Sequence, residues 1–386
     1  MADNFNLSEA ISEYLLWLID AEYAESTIYL HERTLNHFQN YIGSSTDSLD
    51  AILSSENIIG YANNCTLKKG TMSVWSLARY LYRHEKITEL PCRNPKNLSP
   101  LYETFLSYST TNGSISAERI NGCRKTLQLF SSWLAREGTD LKKLRIEQVD
   151  CFLSDISKSY APATMQRHRS FLRGFLKWLY QEKKTRRNLA LLVVGPPQYA
   201  ATKPPRFLRA DEIKKLFAKI PATPKEQRTL PMIHLAYYLG LRPGEISNIS
   251  LDDIMFSKQE MLIPTRKSCN PISVPLPTIA IKAIANYVIN ARPNSDSRKL
   301  FLQLRAPYEP VKSGIVCSCI GAWMCKAGTP GSAYWLRHTY AQNLLEAEST
   351  IFEIKEMLGH DRIQTTNGYL KIHSRMMREV LFNETI

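Results

Sequence analysis

This chain of 386 residues lacks the short motifs of nucleotide-dependent enzymes, membrane proteins and secreted proteins. It has no Walker-type GxxxxGK loop and no GxGxxG turn, so nucleotide hydrolysis and dinucleotide chemistry have no support. No apolar run approaches the roughly 20 residues of a membrane span, and the acidic, polar N-terminus is unlike the basic start of a signal peptide. The sequence therefore predicts a soluble, cytoplasmic protein without a membrane partner.

The eight cysteines form neither a metal-binding motif nor a disulfide framework. No pair has CxxC spacing, and the tightest group, Cys317, Cys319 and Cys325, has no histidine at metal-ligand spacing. Because a zinc site needs a fourth ligand, we expect free thiols in a reducing compartment. We expect no metal and no cofactor.

Acidic residues are fewer than basic ones, and 49 Lys and Arg against 36 Asp and Glu give a net charge of +13. The excess is uneven, because residues 1–95 carry a net charge of −5 and residues 96–195 carry +9, as does the remainder of the chain. Concentrated positive charge favours a polyanionic partner such as double-stranded DNA. An ordinary solvated basic face is the alternative.

The length exceeds that of one compact core, so we expect two or three domains. Four prolines at positions 196, 197, 204 and 205 predict an extended linker over residues 196–206. The linker divides a helical N-terminal region from a mixed region over residues 207–386. The charge difference divides the N-terminal region into an acidic helical domain, 1–95, and a basic helical domain, 96–195.

The two N-terminal domains show weak internal repetition. Residues 27–42 and 119–134 both contain the pattern Thr-Leu-x-x-Phe, and residues 70–82 parallel residues 163–180. Duplication is our preferred interpretation, and coincidental similarity of two helices is the alternative. The acidic copy is predicted to serve interaction or positioning, and the basic copy to bind DNA, because phosphate contacts need cations. The predicted DNA-binding residues follow one helix and its C-terminal end: Arg167, His168, Arg169, Arg173, Lys177, Lys183 and Lys184.

The last region alternates apolar helices with one predicted β-hairpin. The strands of the hairpin are expected at 260–265 and 271–276, joined by a polar turn. Helices are expected near 211, after Pro243, and around 277–291, 334–346, 351–358 and 374–383. The predicted fold is mainly α with a small antiparallel β-sheet: two helical bundles followed by a mixed α+β domain.

Three basic residues of this region stand in unusual places. Arg242 lies in the turn "GLRPGE", where it could also cap a helix or pair with Glu245. Lys267 lies at the tip of the hairpin, where a solvated lysine is the ordinary interpretation. Arg337 lies in the apolar helix "YWLRHTY", and burying a guanidinium is costly without an anionic partner.

The segment "LGHDRIQTTNGYLKIH" ends this series with His360 and, nine residues later, Tyr369. Alone, His360 fits a helix C-cap and Tyr369 fits a core position. The ordered series of G-L-R-P-G-E, a hairpin lysine, L-R-H-T, L-G-H and a tyrosine resembles the catalytic domain of the tyrosine recombinases, the phage integrase family. The resemblance spans 207–373, and the helix ending in "RSFLRGFLKWLYQEKK" with the proline linker is similar to the core-binding domain of that family. The N-terminal region would be a tandem of such domains.

This resemblance implies a division of catalytic roles. Arg242 and Arg337 would hold the scissile phosphate, and Lys267 would protonate the leaving 5′-oxygen. His360 would hydrogen-bond a phosphate oxygen or assist proton transfer, and Tyr369 would attack the phosphorus. Two planar guanidiniums suit the extra negative charge of the transition state, and nearby cations favour a tyrosine phenolate. A 3′-phosphotyrosine intermediate conserves the bond energy, so rejoining needs neither ATP nor metal.

Two further positions follow from the same resemblance. Glu245 matches an acidic position that supports the first arginine. Tyr334 stands where the family usually has histidine, three residues before the second arginine. A phenol can donate a hydrogen bond to phosphate, but it cannot replace an imidazole base near pH 7.

The implied activity is site-specific DNA recombination for integration, excision or transposition of a mobile element, at the nucleoid in the cytoplasm. Residues 374–386 place Met376, Met377, Val380 and Leu381 at helical spacing, which predicts a segment that docks on a neighbouring protomer. A homo-oligomer, a tetramer on two DNA sites, is expected, with packing in cis as the alternative. The competing functions are a non-catalytic DNA-binding relative and a type IB-like topoisomerase.

Overall fold

The computed structural model describes residues 6–43, 47–64, 70–91, 98–112, 115, 117–195, 206–264 and 271–359. These residues group into two compact units. The first comprises 1–49, 65–84 and 200–386, and the second comprises 50–64 and 85–199. In the described part of the chain, no helix is long and apolar enough to cross a membrane.

The described residues before the linker form nine α-helices. Their bounds are α1 Leu7–Asp20, α2 Glu25–Ile42, α3 Leu49–Ile52, α4 Ser55–Asn64, α5 Gly70–Arg83, α6 Pro100–Thr111, α7 Ala117–Arg136, α8 Ile146–Ser157 and α9 Pro162–Gln181. Short 3₁₀ turns, Leu141–Lys143 and Leu189–Leu191, stand before α8 and after α9. Proline at the first turn of α6 and α9 suits a helix start, because the N–H that it lacks would have no partner there.

The order of these elements repeats along the chain. Helices α1 and α2, the short α3, then α4 and α5 correspond in order to α6, α7, a 3₁₀ turn, α8 and α9. Both Thr-Leu-x-x-Phe patterns are buried at all three of their defined positions: Thr34, Leu35, Phe38, Thr126, Leu127 and Phe130. Helix α2 packs on α1 and α5, just as α7 packs on α6 and α9. The repetition in sequence thus has a counterpart in local packing, which supports duplication.

The described residues after the linker form a small sheet and seven helices. They are α10 Ala210–Ala218, α11 Pro224–Tyr238, α12 Pro243–Asn248, α13 Thr278–Asn290, α14 Ser313–Lys326, α15 Ala333–Glu346 and α16 Ile351–Leu358. Helix α11 is the central element, because it packs against α12, α13, α14 and α15. Its apolar residues Met232, Ile233, Leu235 and Ala236 are fully buried, as expected of a helix covered on several sides.

The sheet has three antiparallel strands in the order β1 Ile254–Met255, β2 Glu260–Ile263 and β3 Ile272–Pro275. Met261 and Ile263 point into the core while Leu262 is partly exposed, which is the period-two pattern of a half-buried strand. The predicted hairpin is therefore confirmed, with each strand two residues shorter than expected. Its connection, residues 265–270, lies outside the described residues.

A buried carboxylate ties α11 to the ends of α10 and α14. Glu226 accepts the Ala222 N–H at 3.0 Å and lies 3.0 and 3.1 Å from the ammonium groups of Lys219 and Lys326. The backbone hydrogen bond and then the two lysines lower the pKa of Glu226 to about 2. Ionised Glu226 therefore stabilises the folded chain.

Replacement of Glu226 by Gln is expected to make the stability of the protein less dependent on pH. Because the folded pKa is depressed, this contribution is complete above the unfolded pKa of about 4.5 and is lost as the pH falls towards about 2. Urea unfolding should show the wild type more stable than Glu226→Gln at pH 6, with the difference shrinking by pH 3. A constant difference across this range would contradict the assignment. Glu147→Gln, at an exposed site, is the matched control.

Candidate active site

Arg242 begins α12 and pairs with the acid one turn later. Its N–H donates to Glu245 Oε2 at 2.7 Å, and its Nη1 donates to Glu245 Oε1 at 2.8 Å. Its Nη2 donates to the Gly359 carbonyl at 2.9 Å, although Gly359 is 117 residues away along the chain. Pro243 at the first helical position fixes the start of α12. Arg242 is therefore the N-cap residue of α12 and pairs with Glu245, as considered above. It also connects α12 to the end of α16 through the Gly359 carbonyl.

Arg337 is buried within α15, with 4% of its side chain exposed. Its Nη1 donates to the Gly240 carbonyl and its Nη2 to the Leu358 carbonyl, both at 2.5 Å. Nη1 also lies 3.9 Å from Glu245 Oε2. The costly burial of this guanidinium is thus offset by two carbonyl acceptors and a nearby carboxylate.

Glu245 brings the two arginines together. Only 6% of its side chain is exposed, and its two oxygens face the guanidiniums of Arg242 and Arg337. Two positive charges around one negative charge leave an excess of one positive charge in a poorly solvated place. Such an arrangement attracts an additional anion, and a phosphodiester is of suitable charge and shape for planar guanidiniums.

Gly240 supports Arg337 through its backbone. Its φ of +60° lies in the left-handed region, and an added Cβ would come 2.3 Å from Cδ1 of Tyr340. The tight turn between α11 and α12 therefore needs glycine for both conformation and space. Its carbonyl is then available to Arg337.

Gly240→Ala is expected to destabilise the protein and to slow any reaction that depends on Arg337. The left-handed strain alone costs about 1–3 kcal/mol, and the contact with Tyr340 adds to it. Gly244→Ala is the matched control, since an added Cβ there meets nothing within 4 Å. Urea unfolding of both variants measures the difference. Equal stabilities would contradict the role given to Gly240.

The C-terminal end of α16 is held at the same place. Gly359 caps the helix in the left-handed conformation, with φ 59° and ψ 54°. Because Arg242 and Arg337 bind the carbonyls of residues 359 and 358, both arginines anchor the last turn before His360. Lys267, His360 and Tyr369 themselves lie outside the described residues, so their roles stay predictions.

Two other side chains lie beside Arg337 on α15. Tyr334 is one turn earlier and half exposed, at 50%. His338 is largely enclosed, and burial followed by the charge of Arg337 lowers its pKa to about 4. His338 is therefore neutral at pH 7, where it would carry no charge towards a phosphate.

The basic residues predicted to bind DNA divide into exposed and enclosed groups. The exposed ones are Arg167, Arg173, Lys177, Lys183 and Lys184. His168 instead lies in the core, at 6% exposure, where its Nδ1 is 2.9 Å from Thr126 Oγ1. Arg169 packs against Gly195, whose added Cβ would lie 2.9 Å from its Cδ. We therefore remove His168 from the DNA-binding set, because a buried imidazole cannot reach a phosphate.

Sequence reasoning missed the backbone groups of this site. The carbonyls of Gly240, Leu358 and Gly359 hold the arginines, yet carbonyls leave no residue-type signal beyond the two glycines. Thr339 was missed as well, and its Oγ1 accepts the Leu208 N–H at 2.9 Å, which attaches the residues after the linker to α15. Nothing in the local sequence pointed to this contact.

A helical fold with a small sheet and an arginine pair around one carboxylate suits the class of enzymes that act on phosphodiesters. Comparison with known proteins gives the same class. The family model "Phage integrase family" matches residues 206–376, and "Phage integrase, N-terminal SAM-like domain" matches 102–183. The chain therefore belongs to the phage integrase family, the tyrosine recombinases. The predicted family, fold class and recombinase activity are confirmed at this level.

Relatives and solved structures extend the comparison over most of the chain. The sequence is 30% identical to tyrosine recombinase XerC of Pelotomaculum thermopropionicum, over 72% of this chain and 95% of the relative. It is 27% identical to putative integrase/recombinase y4rF of Sinorhizobium fredii, over 84% of this chain and 79% of the relative. XerH bound to a palindromic difH substrate, post-cleavage, gives a TM-score of 0.58 at 16% identity, covering 98% of this chain and 96% of XerH. A lambda integrase dimer on a COC′ core site gives 0.55 at 17% identity, covering 70% and 94%. At these identities the two structures establish the fold.

Proposed function

We propose that this protein cleaves and rejoins DNA at specific sites through a 3′-phosphotyrosine formed by Tyr369, in the integration, excision or transposition of a mobile element. One observation supports this proposal most strongly. Arg242 and Arg337 both face the Glu245 carboxylate, and both donate hydrogen bonds to the last carbonyls before His360. This arrangement joins a phosphate clamp to the segment that leads to Tyr369.

In this proposal Glu245 orients the clamp and the arginines bind the non-bridging phosphate oxygens. Negative charge on these oxygens rises in the transition state, so preorganised donors stabilise it more than the ground state. The Glu245 carboxylate accepts hydrogen bonds from both the backbone N–H and the guanidinium of Arg242. The carbonyl bonds of Arg337 fix the other guanidinium in the same way. The donors are thus held before DNA arrives.

The chemical step balances without an added reactant. The Tyr369 oxygen attacks phosphorus and displaces the 5′-oxygen of the next nucleotide, which receives its proton from Lys267. The phenolic proton leaves towards His360 or solvent, and the arginine charges favour the phenolate. A 5′-hydroxyl of the partner strand then attacks the phosphotyrosine and releases Tyr369. His360 is proposed beside the clamp because it directly follows Gly359, whose carbonyl Arg242 binds.

Tyr334 is proposed to donate a hydrogen bond from its hydroxyl to the bound phosphate. It is half exposed and one turn from Arg337, on the first turn of α15. A phenol supplies this hydrogen bond without a change of charge near neutral pH.

DNA binding is assigned to the exposed members of the predicted set: Arg167, Arg173, Lys177, Lys183 and Lys184. Relatives and solved structures of the family include a lambda integrase dimer bound to a core site, which supports a DNA-bound assembly. We propose residues 96–195 as the core-binding domain, 1–95 as an accessory domain and 207–386 as the catalytic domain, joined by a linker at 196–206. We further propose that residues 374–386 dock on a neighbouring protomer in a tetramer on two DNA sites, at the nucleoid in the cytoplasm.

A suicide substrate tests the proposal. The substrate is a duplex of the cognate site with a nick next to the cleavage position. On cleavage, the short fragment that carries the 5′-hydroxyl dissociates, so rejoining cannot occur and the covalent adduct accumulates. The expected result is a denaturant-resistant complex of protein with the 3′-end of the DNA. Binding without an adduct would favour the non-catalytic relative. Relaxation of supercoiled DNA by the monomer, without site preference, would favour the topoisomerase.

A further inference from the structure

The second unit contains a basic cavity outside the predicted DNA-binding set. It has a volume of 410 Å³ and lies between the turn that leads into α8 and the segment that follows α9. Five basic residues line it: Lys142, Lys143, Arg145, Arg186 and Arg187. All five are exposed, and Leu144 and Leu189 form buried parts of the lining. Glu147 is the one acidic residue in the lining.

These five side chains differ in their partners from three other cations of the same unit. Arg124 is paired with Glu103, Arg136 with Glu137 and Asp155, and Lys158 with Asp155. Among the residues that the structure describes, no ion pair is made by any of the five cavity cations. Five like charges around one concavity repel one another, so an anion with several charges would relieve this repulsion.

The position of the cavity separates it from Arg167. Arg167 stands near the start of α9, whereas Arg186 and Arg187 follow its end at Gln181. A rise of 1.5 Å per residue puts about 20 Å of helix between Arg167 and that end. At 3.4 Å per base pair, about 20 Å corresponds to about six base pairs of duplex. Arg167 and the cavity therefore reach different phosphates.

We propose that the cavity binds backbone phosphates of DNA, as an anchor about six base pairs from the contacts of Arg167. This inference rests on the proposed function, because the DNA carrying the recombination site is the ligand. The walls offer two lysines and three arginines, and the arginines can each bind a phosphate oxygen pair. Such contacts add affinity without reading sequence, since phosphates are alike at every position.

The test measures DNA affinity against salt for duplexes of decreasing length. Binding to the cognate site, trimmed two base pairs at a time from either end, is compared for wild type and Arg186→Gln/Arg187→Gln. Each lost phosphate contact lowers the slope of log affinity against log salt by about 1. The double variant should therefore lower the slope by one to two on long duplexes. The same substitutions should have no effect once one end has been trimmed past the anchor.

Controls separate this inference from folding defects and from the proposed function. Arg136→Gln/Lys158→Gln removes two paired cations of the same unit, so its slope should match the wild type. Lys142→Gln/Lys143→Gln tests the opposite wall and should reproduce the loss, and thermal melting checks folding of each variant. Covalent adduct on a short nicked core duplex should form normally in all variants. Loss of that adduct in the wild type would contradict the proposed function alone.

Three outcomes would overturn the inference. If the slope of log DNA affinity against log salt is unchanged in both cavity variants, the cavity residues make no phosphate contact. A slope lowered equally on every duplex places the residues within the core contacts. If the cavity variants lose pyrophosphate binding while their DNA affinity is unchanged, the ligand of the cavity is a small anion.

Discussion

Arg337→Lys is expected to reduce covalent DNA cleavage by about 10²–10³-fold while leaving DNA binding in place. Lysine keeps the positive charge but replaces a planar fork with a single ammonium group. One ammonium cannot span the Gly240 and Leu358 carbonyls and also bind a phosphate, because two different guanidinium nitrogens bind these acceptors. The single-turnover rate of adduct formation on the suicide substrate measures the effect.

The matched control for this substitution is Arg298→Lys. Arg298 pairs with Asp252 at the surface, with 65% of its side chain exposed. Exposed ion pairs contribute little, so cleavage and urea stability should stay close to wild type. Cleavage at the wild-type rate by a folded Arg337→Lys protein would remove Arg337 from the clamp.

Tyr369→Phe is expected to abolish the covalent adduct altogether and to leave site binding unchanged. Loss of the phenolic oxygen removes the nucleophile, whereas the ring and the positive charge around the phosphate remain. Denaturing electrophoresis of the nicked-substrate reaction measures the adduct, and a gel shift measures binding. Tyr82→Phe, at a tyrosine with 44% exposure, should form adduct normally. Persistent adduct in Tyr369→Phe would assign the nucleophile to another side chain.

Local sequence signals located most helices of the first unit. Helix α13 was expected at 277–291 and runs from 278 to 290, and α16 begins and ends at the expected residues. Helix α14 was not predicted, because its sequence "SGIVCSCIGAWMCK" is rich in glycine, cysteine and β-branched residues of low helix propensity. Burial of Val316, Ile320, Trp323 and Met324 against the core outweighs that preference. Strand β1 was missed too, since two residues carry no periodicity.

The family could be predicted from the amino-acid sequence, through the order of residue types: two arginines, a hairpin lysine, a histidine and a tyrosine. The sequence also indicated the fold class and the basic character of the second helical bundle. These properties depend on residue identity and short-range periodicity, which a single chain displays directly.

The contacts between the arginine side chains and the backbone carbonyls became visible in the tertiary structure alone. Arg337 and Gly240 are 97 residues apart, and Arg242 and Gly359 are 117 apart, yet their atoms are in hydrogen-bonding contact. The structure likewise placed His168 in the core and gathered five basic side chains around one cavity. Such contacts depend on how helices pack and on backbone carbonyls that every residue carries. No local pattern of side chains encodes them.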